Sequence, residues 1–433
     1  MSRLIIATGV PLMLSLLINS LYNFVDSVFV SRVSEDALTA LSLSSPVQLL
    51  VSSLGFGNAI GLNAVISKAL GENDPDKVKK AANGAIFIAL CAWVLIVLGC
   101  LAFVRLYFDW QSGGNGAIAA YGRQYLTVCM LFSFGQMGQW VFDRFVIASG
   151  KSHLFLFTLS AASLTNLALD PIFIFGLFGI PRLGTLGAAI ATVIGQIVGM
   201  IAGIVINRRW NKEIPFSFRL RPDRKVIGDI LRVGIPSAMI EVLTAAVFIA
   251  VNTILLAFST TAVAVYGVCS KIRGVVTVGV HGIDNGLIPI VAYNYGAKKS
   301  GRIDEAIRWA RVYSVLFYLV FFVLLEFFPG TVLRLFNASE NMFALGGPAL
   351  RIFGAAFFAS IPTMIFAAAL QGLSRGVESM LLTTARQAVL PVALALLLKG
   401  FGVLDLVWAS FLLGELAVIP LAARVWRRAR RDI

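Results

Sequence analysis

Two aspartates lie inside stretches of the chain that are apolar enough to cross a lipid bilayer. Asp26 follows Leu-Tyr-Asn-Phe-Val, and Asp170 follows Asn-Leu-Ala-Leu. A carboxylate at membrane depth costs at least ~2.5–3.5 kcal/mol, so it normally faces a bundle interior or a watery cavity and marks an ion or substrate pathway. Because both aspartates occur in the first half of the chain, we expect them to share one site.

The apolar stretch around Asp26 carries a polar stripe. Asn19, Asn23 and Asp26 are spaced by four and three residues, so they share one helix face that would point at protein or water. Tyr22 precedes Asn23, and Pro11 lies mid-span, where its missing N–H kinks or loosens a helix. The alternative role for the amides is hydrogen bonding between helices that only holds the bundle together.

A second polar group accompanies Asp170. Asn166 and Asp170 are four residues apart on one helix face, and Pro171 directly after them predicts a bend. Thr192 and Gln196 repeat the four-residue spacing on the next apolar stretch. Carboxylate, amide and hydroxyl oxygens suit Na⁺, whereas two neighbouring carboxylates in a low-dielectric site can share a proton. The spacing leaves Na⁺ and H⁺ open as the coupling ion.

Asp143 also lies in an apolar stretch, beside Arg144. If Asp143 faces a cavity, it could receive a cationic substrate. If it pairs with Arg144 or another neighbour, its role is structural. The sequence favours neither interpretation.

The second half of the chain has its own ionisable residues in apolar stretches. Glu241 is one, and His281 and Asp284 share a helix face at a spacing of three. A proton relay is one interpretation, because histidine titrates near neutral pH. We favour the other, an internal pair that neutralises charge, with Lys271 or Arg273 as a partner.

Composition places the chain among multi-span membrane proteins. Of its 433 residues, 58% are hydrophobic and 13% charged, and the mean hydropathy is +0.86, against ~45–50% and ~25% for soluble domains. The net charge of +14 arises from basic residues in short loops, so we read it as an orientation signal and expect no nucleic-acid partner. The four cysteines show no metal or disulfide spacing. Without a P-loop or a hydrolase motif, we expect no enzyme activity, no cofactor and no structural metal.

About twelve apolar stretches are long enough to span a bilayer. They lie at roughly 4–31, 41–68, 82–106, 120–148, 154–178, 184–207, 230–258, 262–293, 309–329, 346–372, 378–399 and 403–425. The bias of Lys and Arg between alternate loops predicts that both termini are cytoplasmic.

The two halves of the chain resemble each other at an offset of roughly half the chain length, with a slip of one residue where Val25-Asp26-Ser27 matches Val251-Asn252-Thr253. Gly9-Val10-Pro11 matches Gly234-Ile235-Pro236, which fixes this repeat offset. We therefore predict an all-α membrane protein with two six-helix lobes related by a pseudo-two-fold axis along the membrane normal. The N-lobe would span 1–206, a cytoplasmic linker 207–229, and the C-lobe with a basic tail 230–433. Such repeats favour a transporter that works by alternating access, rather than a channel or a packed scaffold.

Five motifs resemble the multidrug and toxic compound extrusion (MATE) family, in its prokaryotic form. They are Gly-Val-Pro at 9–11, Leu-Tyr-Asn-Phe-Val-Asp at 21–26, Asn-Leu-Ala-Leu-Asp-Pro-Ile-Phe-Ile-Phe-Gly at 166–176, Gly-Ala-Ala-Ile-Ala-Thr at 187–192, and Gly-Leu-Ile-Pro-Ile-Val-Ala-Tyr-Asn-Tyr-Gly-Ala-Lys-Lys at 286–299. The resemblance implies a twelve-helix antiporter that expels cationic amphipathic compounds while Na⁺ or H⁺ flows inward. It places cation coupling at Asp26, Asn166, Asp170 and Thr192, and a first-helix bend at Pro11.

One branch of that family has a seventh-helix glutamate where this chain has Thr244, and Asn252 replaces Asp26 in the repeat. A C-lobe coupling site of that type is therefore not expected, and Glu241, His281 and Asp284 are only secondary candidates. We expect Asn19, Tyr22, Asn23, Asp143 and Gln196 to line the substrate cavity. The protein would act as a monomer among lipids of a bacterial or archaeal cytoplasmic membrane. The alternative function is a flippase for lipid-linked oligosaccharides of the same superfamily.

Overall fold

The fold is built from helices. A computed structural model describes the backbone of residues 1–31, 33–112, 115–218, 222–335 and 340–431, and their side chains except at 19–28, 30, 31, 35, 38, 42, 245, 249, 260 and 335. Within these ranges every regular element is helical. The helices are α1 (Ser2–Ser31), α2 (Glu35–Gly71), α3 (Pro75–Gln111), α4 (Gly116–Leu131), α5 (Phe134–Ala148), α6 (Ser152–Phe175), α7 (Thr185–Trp210), α8 (Arg224–Leu256), α9 (Thr260–Gly296), α10 (Ser300–Phe327), α11 (Pro329–Leu335), α12 (Glu340–Gly372), α13 (Gly376–Thr384), α14 (Leu390–Lys399) and α15 (Leu404–Arg431). A π-helical turn, Ala385–Val389, joins α13 to α14.

These helices account for the twelve predicted spans, and the predicted fold class is confirmed. Among the described residues, ten continuous helical segments are long and apolar enough to cross a membrane. The other two spans are α1 and the stretch predicted at 120–148, which is divided into α4 and α5 at Phe132 and Ser133. The short helix α11 was not predicted.

The sequence repeat extends to the ends of the helices. Ser34 Oγ accepts the backbone N–H three residues on, at 3.1 Å, and so caps α2. Ser259, the equivalent residue of the second half, caps α9 in the same way at 3.0 Å. Asn73 and Lys298, another equivalent pair, each have a φ of 54° in the turns after these helices. The two halves therefore share local capping chemistry.

The helices form two compact units. The first unit is Leu14–Ala238, and the second unit is Met1–Met13 with Met239–Ile433. In the first unit, α7 packs along α6 and α5, while α2 packs against α3, α4 and α5. In the second unit, α12 is central and packs against α9, α10 and α15. The division into lobes at 1–206, 207–229 and 230–433 stays a prediction.

Glycines on α2 and α9 let these helices approach the backbones of α8 and α1 closely. In the first unit, a Cβ on Gly57 of α2 would lie 2.5 Å from the carbonyl oxygen of Gly234 in α8. In the second unit, a Cβ on Gly282 of α9 would lie 2.8 Å from the backbone nitrogen of Met13 in α1. Gly57 and Gly282 are equivalent positions, so the repeat retains the small residues that allow close backbone approach.

Large apolar side chains cover the outer surface of several helices. On α3, Leu101, Phe103 and Leu106 are 73%, 66% and 64% exposed. Exposed apolar area of this extent is costly in water but matches lipid tails. The protein is a multi-pass membrane protein, as predicted.

Candidate functional site

The polar residues predicted on the fifth and sixth spans meet between α6 and α7 of the first unit. Asp170 is fully buried and Asn166 is 3% exposed. In either orientation of its amide, Asn166 Nδ2 donates to Asp170, at 3.3 Å to Oδ1 or 3.2 Å to Oδ2. In the second orientation, Asn166 Oδ1 also accepts the backbone N–H of Thr192 at 3.1 Å, whereas the first places Nδ2 3.4 Å from the Thr192 hydroxyl. We favour the second orientation because it satisfies both ends of the amide.

Two glycines bring α6 and α7 close enough for these contacts. A Cβ on Gly195 would lie 2.8 Å from the carbonyl oxygen of Ala162 and 3.0 Å from Asn166 Cβ. A Cβ on Gly187 would lie 2.5 Å from the carbonyl oxygen of Phe173. Asn166 therefore reaches Thr192 because small residues on α7 remove the side chains that would separate the helices.

The predicted residues of the first span cannot be placed in the same detail. The side chains of Asn19, Tyr22, Asn23 and Asp26 lie outside the described residues, although the backbone there is part of α1. Pro11 lies inside α1. The part of the predicted cluster that the structure brings together is thus Asn166, Asp170 and Thr192. The other predicted polar residue of α7, Gln196, is half-buried one turn beyond Thr192.

Asp143 forms a buried polar bridge between α5 and α6. It is 5% exposed, and its Oδ1 accepts a hydrogen bond from Thr158 Oγ1 at 2.5 Å. Gln139, one turn earlier on α5, also hydrogen bonds to Asp143. Arg144 is 7% exposed. The geometry shows Asp143 paired with neighbours in the bundle, while its contact with a substrate stays a prediction.

The second unit places its ionisable residues differently. Glu241 is half-buried on α8, and on α9 His281 is exposed and Asp284 half-buried. The charge of Arg386, in the π-helical turn, acts on Asp284. Arg386 Nη1 itself donates to Glu415 Oε1 of α15 at 2.9 Å, with side-chain exposures of 7% and 13%.

Sequence reasoning missed Arg386 and Glu415. Both lie in apolar spans, so they meet the criterion that pointed to Asp26 and Asp170. Thr158 and Gly195 were also missed, because neither residue type stands out in a membrane helix. Only their contacts with Asp143 and Asn166 give them a role.

The α6–α7 cluster offers hard oxygen donors to a small cation. Asp170 supplies a carboxylate, Thr192 a hydroxyl and Asn166 an amide oxygen. A proton needs only the carboxylate, whereas Na⁺ would use several of these oxygens. No group of three or more His, Cys, Asp or Glu side chains is placed to hold a metal ion within the described part of the chain.

A family model matches both halves of the chain. The family model MatE matches residues 11–172 and again residues 236–397. The second match begins and ends at the positions equivalent to the ends of the first. This doubled match agrees with the repeat predicted from the sequence.

The chain is similar to curated export proteins of staphylococci. It is 23% identical over 430 residues to the multidrug export protein MepA of Staphylococcus aureus (strain MSSA476), covering 98% of this chain and 93% of MepA. The corresponding MepA of Staphylococcus haemolyticus (strain JCSC1435) is 23% identical over 416 residues, covering 96% and 90%.

Solved structures show the same fold over the whole chain. One is an outward-facing conformation of a multidrug resistance MATE family transporter of the MOP superfamily, with a TM-score of 0.91, 22% identity, and coverage of 100% of this chain and 96% of that chain. Another is a MOP superfamily transporter from Pyrococcus furiosus, described as having a binding pocket of reverse polarity, with a TM-score of 0.90, 23% identity, and coverage of 99% and 96%. At such identities the likeness establishes the fold alone.

Proposed function

Because this chain belongs to the MatE family, we propose that it is a secondary active antiporter that exports cationic amphipathic drugs in exchange for Na⁺ or H⁺. It is a transporter rather than an enzyme, and it needs no cofactor besides the transported ion. It acts as a monomer in a bacterial or archaeal cytoplasmic membrane, with both termini in the cytoplasm. The names of the staphylococcal relatives, multidrug export proteins, support drug export.

The observation that carries this proposal is the burial and bonding of Asp170. This carboxylate is 0% exposed in a membrane helix and accepts a hydrogen bond from the Asn166 amide. An ionisable group inside a membrane helix costs free energy, and in transporters such groups mark ion or substrate pathways. Its neighbour Thr192, on the next helix, completes a cluster of oxygen donors.

We propose that Asp26 and Asp170 bind either the coupling ion or the cationic drug, but not both at once. A cation entering from outside reduces the negative charge of the carboxylate pair and so weakens its attraction for the bound drug. The drug then leaves, while α1 bends near Pro11. Competition for one pair of carboxylates is enough to couple the two fluxes, because each ligand lowers the affinity for the other.

Efflux from proteoliposomes with separately imposed Na⁺ and pH gradients tests this proposal. Ethidium should leave the vesicles when one gradient is imposed, and Asp26→Asn should abolish that efflux at unchanged protein content. Asp405→Asn is the matched control, because Asp405 is an exposed aspartate at the start of α15. Wild-type efflux by Asp26→Asn would contradict the mechanism.

The same preparation separates the proposal from its rival. A flippase for lipid-linked oligosaccharides would bind a lipid-linked sugar phosphate and no organic cation. A channel would instead conduct ions without countertransport. Saturable, gradient-dependent ethidium movement is the result expected only of the antiporter.

A further inference from the structure

Three charged side chains on separate elements of the second unit are linked by one ion pair and by the charge of Arg386. Asp284 lies on α9, Arg386 in the π-helical turn and Glu415 on α15. Arg386 and Glu415 form a hydrogen-bonded ion pair at 2.9 Å, and the charge of Arg386 acts on Asp284 and on Glu415. We refer to these three residues as the charged triad.

Arg386 lies within the π-helical turn. A π-turn accommodates one extra residue inside a helix, which shifts the faces of the helix on either side of it, and such turns are frequent at functional sites. Ala385–Val389 is the one π-turn in the described residues. Because a regular helix forms more easily, its presence beside a buried arginine indicates that the position of this guanidinium matters.

Each member of the triad has a buried polar atom with no hydrogen-bond partner among the described residues. These atoms are Asp284 Oδ1, Glu415 Oε2 and Arg386 Nε. An orphaned polar atom away from water costs about 1–3 kcal/mol, and more if it is charged. Two of the three orphans are carboxylate oxygens and the third is a guanidinium N–H, so the site has one more unsatisfied acceptor than donor.

The charges within the triad leave one negative charge unbalanced. Asp284 and Glu415 carry two negative charges when ionised, and Arg386 carries one positive charge. The hydrogen bond at 2.9 Å commits Arg386 to Glu415. Asp284 is therefore the carboxyl whose negative charge has no positive partner of its own within the triad.

The remaining titratable groups near the triad do not supply the missing donor. The charge of Arg273, on α9, interacts with Glu415 and with the exposed His281. Tyr318 of α10 is fully buried, and its hydroxyl is hydrogen bonded to Met364 Sδ at 3.5 Å. Among the described residues, no hydrogen bond joins any of these groups to Asp284 Oδ1.

We propose that the charged triad is a proton-binding site and that Asp284 holds an exchangeable proton. The proton makes Asp284 neutral and leaves Arg386 paired with Glu415. When the O–H bond of Asp284 breaks, the proton passes to water and the negative charge stays on the carboxylate. Asp284 then competes with Glu415 for Arg386, which moves the π-turn relative to α15. A single oxygen suffices to bind a proton, so the site needs no further ligands.

Infrared titration of purified transporter tests this proposal without drug or gradient. In a background of Asp26→Asn and Asp170→Asn, a C=O stretching band of a protonated carboxyl should remain and should disappear with Asp284→Asn. The band should decrease reversibly as the pH is raised. Asp405→Asn, which removes an exposed carboxyl, should leave it unchanged. If the band persists in Asp284→Asn, or never titrates in the background protein, the proposal is wrong.

Two further measurements test the assignment of the band to a proton on Asp284. Asp284→Glu keeps the carboxyl and should keep a shifted band, which provides a test if Asp284→Asn fails to fold. Replacing choline chloride by sodium chloride should not change the titration of the Asp284 band. Displacement of the proton by Na⁺ would overturn the proposal in favour of a metal-cation site. Because no transport is measured, this outcome is independent of whether the protein exports drugs.

Discussion

The two units share one scaffold but carry different charged clusters. The cap Ser34 recurs as Ser259, and the close-packed Gly57 recurs as Gly282. The charged residues do not recur, since Ala395 stands at the position equivalent to Asp170. In the other direction, Ala59 and Ala161 are equivalent to Asp284 and Arg386.

The clusters also differ in the type of group that faces the carboxylate. In the first unit, Asp170 accepts from the Asn166 amide. In the second unit, Glu415 pairs with the Arg386 guanidinium. A neutral amide leaves the charge of the carboxylate unbalanced, whereas a guanidinium balances it and forms a stronger, charge-assisted hydrogen bond. The comparison motivates our two proposals, that ion and drug compete at Asp170 in the first unit and that the second unit binds a proton at Asp284.

The largest expected effect is on transport by Asp170→Asn. This change keeps the shape of the side chain but removes the charge that ion and drug compete for. We expect efflux to fall by about 100-fold, near the upper range for coupling between two ligands. Ethidium efflux from proteoliposomes measures it, with Asp405→Asn as the unaffected control. If Asp170→Asn kept a normal rate while Asp284→Asn abolished efflux, the roles of the two units would be reversed.

Arg386→Gln should have the largest effect on stability. It leaves Glu415 buried without its charge partner, which costs ~3–5 kcal/mol of the free energy of unfolding. The double variant Arg386→Gln with Glu415→Gln removes both charges and should recover most of the loss. Equilibrium unfolding in mixed micelles compares the three proteins. Equal stability of the single variant and the wild type would show that the ion pair does not hold the second unit together.

Gly195→Ala should separate α6 from α7. The added Cβ would meet the Ala162 carbonyl oxygen at 2.8 Å, and overpacking of this kind costs ~1–3 kcal/mol. Gly99→Ala is the matched control, since nothing lies within 4 Å of a Cβ there. That control should be neutral or slightly stabilising, because alanine favours the helix. If both variants unfolded at the same denaturant concentration, the predicted role of Gly195 in close packing would be wrong.

Thr192→Val should have the smallest effect. The backbone N–H of Thr192, which bonds to Asn166, is kept, and only the hydroxyl oxygen of the cluster is lost. With Na⁺ as the coupling ion, its half-saturating concentration for efflux should rise by about tenfold or less, as for one lost neutral donor. With H⁺ as the coupling ion, it should not change. Initial efflux rates against ion concentration thus also distinguish the two ions.

Much of the fold and part of the site were predictable from the sequence. Apolar length identifies spans such as α3 and α10, and four-residue spacing places Asn166 and Asp170 on one helix face. The grouping of Asn166 with Thr192, on the next helix, was expected from their oxygen chemistry and from the family resemblance, but the contact itself came from the structure. The pairing of Arg386 with Glu415, between the π-turn and α15, was not predicted at all. Spacing within one helix says nothing about which face of another helix it meets.

The amino-acid sequence alone determined that the chain is a repeated, all-helical membrane protein, because burial in lipid and helical periodicity are local properties that add up residue by residue. Only the tertiary structure decided which polar groups satisfy one another. Whether Asp170 meets an amide and Glu415 meets a guanidinium depends on how closely helices pack and on the turn before α14. These features arise from contacts between distant segments, and glycines such as Gly195 set the distances at which those contacts form.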